Sequence, residues 1–168
     1  MLIVRTLFIA ALCCAPFATS DAEPSDETRF VLLVDEDAPG IEQLLEQRPE
    51  AAMDVAADAA RLRNPEASQT LLCITLIAQR RLDDAEAPCD AAVTLAEVPL
   101  TSLRNPYGHR NRESLAIAYS NRAVLNALRG DVDAADDDIV RALRQKRHRD
   151  ALLRNQAVVA ATRLANAD

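Results

Sequence analysis

The chain has 168 residues, of which 49% are hydrophobic, 3% aromatic and 27% charged, with a formal net charge of -7. That length predicts one compact domain, and the acidic balance argues against a nucleic-acid partner held through its phosphates. With so few rings the interior must be assembled from Ala, Leu, Val and Ile, which suits closely crossing helices.

Residues 1–20 have the order of an export signal: Arg5 as the charged start, Thr6 to Ala18 as the apolar stretch, and Ala18-Thr19-Ser20 as the small residues a peptidase needs. Asp21 then opens the mature chain, and cleavage after Ala22 satisfies the same rule. The apolar stretch is shorter than the roughly 20 residues that span a bilayer, so membrane association is expected only if the signal is retained uncleaved. Cys13 and Cys14 lack the Leu and two small residues expected before an acylated cysteine. The cations are almost all arginine, Lys146 being the only lysine, a bias compatible with a GC-rich bacterial genome. The expected location is therefore the periplasm or the medium of a bacterium.

Residues 21–40 read as a flexible or extended lead-in. Residues 21–28 are polar and acidic, and Phe30 to Val34 is a short apolar run that is either a strand or an extended segment packed on helices. Periodicity does not choose between these. From 41 to 168 the pattern is helical. Ile41 to Gln47 and Glu50 to Arg63 form a first hairpin broken at Pro49. Asn64-Pro65-Glu66 is a helix start, with an N-cap, Pro at the first helical position and an acid in the first turn. That helix is expected to reach about Arg80. The next, from Leu82 to Ala96, contains Pro88 and is expected to kink there or to start later. Residues 98–110, with Pro99, Asn105-Pro106 and Gly108, form an insertion. Helices from Arg112 to Arg129, Val132 to Arg147 and Asp150 to Ala165 complete the chain.

Two stretches repeat one spacing of small and branched residues: Cys73, Ala85, Cys89 and Ala92, then Ala123, Ala135, Ile139 and Ala142, fifty positions later. Leu128-Arg129-Gly130-Asp131 supplies a turn, with Gly at the left-handed position and Asp as the following cap. Tyr119, Ala123, Ala135 and Ile139 fall on the aromatic, small and A-x3-F positions of a known pattern, and Asn155 and Ala157 repeat the Asn121 and Ala123 pair. These residues resemble the tetratricopeptide family, whose period is about 34 residues. The resemblance covers roughly residues 50–168 and implies an all-α fold, a short α-α superhelix of helical-hairpin repeats. The insertion accounts for the longer first spacing.

The resemblance also implies a concave groove lined by the first helix of each repeat. The matching positions are Thr70, Ile74, Ile77, Ile117, Ser120, Asn121, Val124, Arg154 and Val158, a mainly apolar set that suits an apolar or amphipathic peptide segment. Cys73 and Cys89 take small positions facing each other across one hairpin. In an exported chain without its signal they are the remaining cysteines, so a disulfide is expected, with two buried thiols as the alternative.

Chemistry is sparse. His109 and His148 are far apart in sequence and away from Cys at ligand spacing, so no zinc site is expected. Asp131, Asp133, Asp136, Asp137 and Asp138 lack the order of a calcium loop. With Arg141, Arg144, Lys146, Arg147 and Arg149 at the other end, they are expected to complement a helix dipole. The expected function is an exported protein-interaction scaffold, with no enzymatic activity, no cofactor and no metal. A protein or peptide is its expected partner. The alternative is a self-associating envelope component, a homodimer that buries the groove against a second copy.

Overall fold

The computed structural model describes residues 7–8, 29–62, 65–97 and 108–165. Most of the expected export signal, the expected polar lead-in at 21–28 and residues 98–107 of the expected insertion lie outside the described residues. The described elements are β1 (Leu7–Phe8), β2 (Val31–Leu32), α1 (Ile41–Leu45), α2 (Pro49–Leu62), α3 (Pro65–Ala78), α4 (Leu82–Glu97), α5 (Gly108–Leu128), α6 (Val132–Arg144) and α7 (Arg149–Ala165). The fold is all-α. Each helix packs on its neighbour in chain order, and α5 also packs on both α3 and α7. None of the described helices is long and apolar enough to cross a membrane.

The eight small and branched residues of the repeated spacing are where helices meet. Cys73, Ala85, Cys89, Ala92, Ala123, Ala135, Ile139 and Ala142 are all at most 1% exposed. Short side chains there let the two helices of each hairpin approach closely, which is how a chain poor in rings builds an interior at native density. Cys73 and Cys89 form a disulfide across the α3–α4 hairpin, with their Cα atoms 4.8 Å apart. A bridge of this kind is compatible with an oxidising compartment.

The repeat is also visible in the backbone. After α3, Arg80 takes φ 60° and donates to Ile77 O at 3.0 Å, while Arg81 donates to Leu76 O at 2.9 Å. Fifty positions on, Gly130 takes φ 87° and donates to Ala127 O at 3.1 Å, while Asp131 donates to Asn126 O at 2.9 Å. Both are the two-bond helix ending that satisfies carbonyls of the last turn. Gln47 closes α1 in the same way. Asp131 then caps α6 by accepting from the Ala134 amide at 3.0 Å.

Two details differ from expectation. α4 starts at Leu82, which excludes the later start, and its helix continues through Pro88 to Glu97. Its missing N–H would have faced the carbonyl of Asp84, an exposed residue, so water can satisfy the freed acceptor. α5 opens at Gly108, so residues 108–110 belong to a helix and the insertion is narrower than 98–110. The polar run from His109 to Arg112 carries no apolar period that could have marked this extra turn. The apolar run at the end of the 21–40 lead-in is the extended segment packed on helices that the sequence allowed: Val31, Leu32, Leu33 and Val34 are each at most 2% exposed.

Gly40 fixes where that lead-in joins the helices. It takes φ 94°, and a Cβ there would sit 2.6 Å from Ala52 O and 2.7 Å from Leu71 Cδ2. Only glycine tolerates both the dihedral and the approach. β1 pairs antiparallel with β2, Leu7 opposite Leu32 and Phe8 opposite Val31, so two residues of the expected signal lie along the outer edge of this segment.

Candidate binding groove

The groove positions fall on three helices: Thr70, Ile74 and Ile77 on α3, Ile117, Ser120, Asn121 and Val124 on α5, Arg154 and Val158 on α7. All except the half-buried Arg154 are buried. Most of the surface expected to be open is buried, and residues 30–34 of the same chain pack on Ile74, Ile77, Ile117, Asn121 and Val124. Leu32 and Val34 pack in one cluster with Leu71, Ile74, Ile77 and Val124. Val31 and Leu33 pack in another with Leu115, Ile117 and Leu152. Phe30 is half-buried at the edge, against the cluster containing Ala127 and Val159.

Burial of this backbone requires partners for its N–H and C=O groups. Two asparagines provide them. Asn155 Oδ1 accepts from the Val31 amide at 2.7 Å, and its Nδ2 donates to Val31 O at 2.8 Å. Asn121 Oδ1 accepts from the Leu33 amide at 2.9 Å, and its Nδ2 donates to Leu33 O at 2.7 Å. Each carboxamide thus does what a residue of a neighbouring antiparallel strand does at a hydrogen-bonded pair, exchanging both bonds with one residue. Asn155 Nδ2 also donates to Ser120 Oγ at 3.1 Å, which fixes the amide plane.

The spacing explains why two asparagines suffice. In an extended chain, alternate residues turn their backbone groups to the same edge. Val31 and Leu33 therefore face the helices, while Leu32 faces β1. Asn121 and Asn155 lie 34 positions apart, on the neighbouring helices α5 and α7. The place fifty positions before Asn121 is Leu71, which packs on Gly40 instead. Asn155 was not among the groove positions expected from the sequence; its recurrence after Asn121 was the available signal.

A second polar assembly locks the helices together on the other side. Asp138 on α6 has a side chain only 4% exposed, and Arg122 on α5 grips it with Nε to Oδ2 at 2.8 Å and Nη2 to Oδ1 at 2.9 Å. Arg122 Nη1 reaches Asp90 of α4 at 2.9 Å. Asp138 is the principal cause of the raised Arg122 pKa, through its hydrogen bonds. The Arg122 and Arg141 guanidiniums lie 5.6 and 5.7 Å from the Tyr119 ring centre. The Tyr119 hydroxyl donates to Glu97, and burial followed by this acceptor raises its pKa. Asp131 caps the helix as expected, and Asp133 and Asp136 pair with Arg163 of α7. Asp138 differs: it is an inter-helix tie and not a dipole acid. Among the described residues, no three His, Cys, Asp or Glu side chains converge in a way that could hold a metal ion.

The chain matches no family model, no curated protein and no solved structure. In this groove two carboxamides hydrogen-bond to the backbone of an extended segment.

Proposed function

We propose that this protein is an exported, tetratricopeptide-type interaction scaffold that holds an extended polypeptide segment across α3, α5 and α7. The observation that carries the reading is the pair Asn121 and Asn155, each exchanging two hydrogen bonds with one residue of an extended chain. Such contacts supply affinity for any extended backbone, and the apolar pockets beside them supply selectivity. The buried repeat residues and the shared helix ending after α3 and α5 support the family assignment, and the Cys73–Cys89 bridge is compatible with export.

A photo-crosslinking residue in place of Arg154, at the groove, and another in place of Val140, exposed on α6, test this in the native envelope. Partner adducts are expected from position 154 and not from 140; the reverse pattern overturns the groove as the binding surface. The self-association reading needs the same apolar face, on which residues 31–34 are buried, and differs in placing a second copy there. Sedimentation of the mature chain checks it: a monomer at every concentration is expected.

A further inference from the structure

We infer that residues 30–34 are a self-supplied occupant of the groove, an intramolecular strap that a partner segment of the same chemistry displaces. This rests on the groove reading above. The fitting partner is an extended run of four aliphatic residues lying in the strap's direction, with its first residue at Asn155 and its third at Asn121.

Four observations lead there. The strap is tied to the groove through backbone groups of Val31 and Leu33, so the asparagines accept another sequence equally well. Its contacts span 124 and 88 positions of chain, and residues 35–37, which lead away from it toward α1, are exposed. Among the described residues the segment is thus held by the groove, by its pairing with β1 and by the solvated tether at 35–37, not by a helix that would have to unfold for it to leave. Its side chains alternate between two pockets, Leu32 and Val34 into one and Val31 and Leu33 into the other, which sets the aliphatic pattern a competitor must copy. Beyond the tether the chain has an anchor of its own, since Gly40 is seated against Ala52 and Leu71.

The recognition rule is specific. Residues one and three of the competing segment must keep their N–H groups, while residue two turns its own toward the opposite edge, where Leu7 pairs with Leu32. A proline or an N-methyl group is therefore excluded at the first and third places and tolerated at the second.

The test uses the mature bridged protein, a strap-disabled variant carrying Leu32→Asp with Leu33→Asp, and a fluorescent peptide with the sequence of residues 28–36. The peptide is expected to bind the variant at least tenfold more tightly than the intact protein. N-methylation at the Val31 or Leu33 place should abolish binding, and at the Leu32 place it should not. Equal binding to both proteins, with that N-methyl pattern kept, overturns the strap and leaves the groove reading standing. No binding to a variant that retains its helical circular dichroism and its bridge overturns the groove reading itself. Hydrogen exchange on the intact protein gives a measurement free of the variant's folding. The amides of Val31 and Leu33 should exchange at least tenfold faster than the slowest amides of α5, and exchange at the global unfolding rate overturns the strap.

Discussion

Asn155 returns both backbone hydrogen bonds of Val31, a residue 124 positions earlier in the chain, at 2.7 and 2.8 Å. Removing a carboxamide strands a buried N–H and a buried C=O, each costing about 1–3 kcal/mol when unsatisfied. Asn155→Ala and Asn121→Ala are each expected to lose about 2–4 kcal/mol in urea denaturation. Because both hold one strap, the double variant should lose less than the sum. Strict additivity would show that the two sites act independently.

The helix endings at Arg80 and Gly130 share one backbone, yet only one is glycine. A non-glycine residue in the left-handed region costs about 1 kcal/mol or more, and Arg80 is exposed. Arg80→Gly is therefore expected to raise stability by about 1 kcal/mol. Gly40→Ala, which drives a Cβ to 2.6 Å from Ala52 O, should lower it by more than that amount. Thermal denaturation of the two variants reads both signs.

The Arg122–Asp138 pair predicts unequal effects from two carboxylates on one arginine. Asp138 is 4% exposed at its side chain and Asp90 is 56% exposed. Asp138→Ala leaves a partly buried guanidinium without its main partner and should cost about 3 kcal/mol. Asp90→Ala removes a solvated contact and should cost less than about 1 kcal/mol. Similar losses at the two positions would contradict the burial difference.

The bridge between Cys73 and Cys89 closes a loop of 16 positions, worth about 3 kcal/mol in the chain-entropy account. Unreduced mature protein should show no alkylated thiol at these two positions by mass measurement. Reduction, or Cys73→Ala with Cys89→Ala, should lower the urea midpoint accordingly.

His148 packs with a side chain 9% exposed, and its Nε2 lies 3.4 Å from Glu113 without hydrogen-bond geometry. Burial lowers its pKa; Glu113 and Asp35 oppose this, and Arg147 adds to it. The folded state thus prefers neutral imidazole. Well above the ordinary imidazole pKa of about 6.5 both states are neutral and nothing is lost, but as pH falls toward and through that value the unfolded chain takes the proton first. Relative to His148→Gln, the wild type should lose stability between pH 7.5 and 5.5. A stability difference unchanged over that window would contradict the lowered pKa.

The helical hairpins were legible in the sequence because their cause is local and periodic. Small residues recur at the crossing points, Pro65 and Asp131 open helices, and Gly130 ends one. α5's first turn was not legible, since residues 109–112 are polar and no packing period marks them. The disulfide followed from two cysteines placed at facing small positions.

What the expected groove positions pack against was not readable. Val31 to Val34 is apolar at every position, because both faces of the segment are buried, and an unbroken apolar run carries no period from which to infer a partner. What covers the groove is decided by contacts across 88 and 124 positions of chain, which exist only once α5 and α7 stand side by side. The sequence by itself determined the scaffold through local periodicity and turn chemistry. Only the tertiary structure decided that two asparagines 34 positions apart would meet alternate residues of an extended backbone.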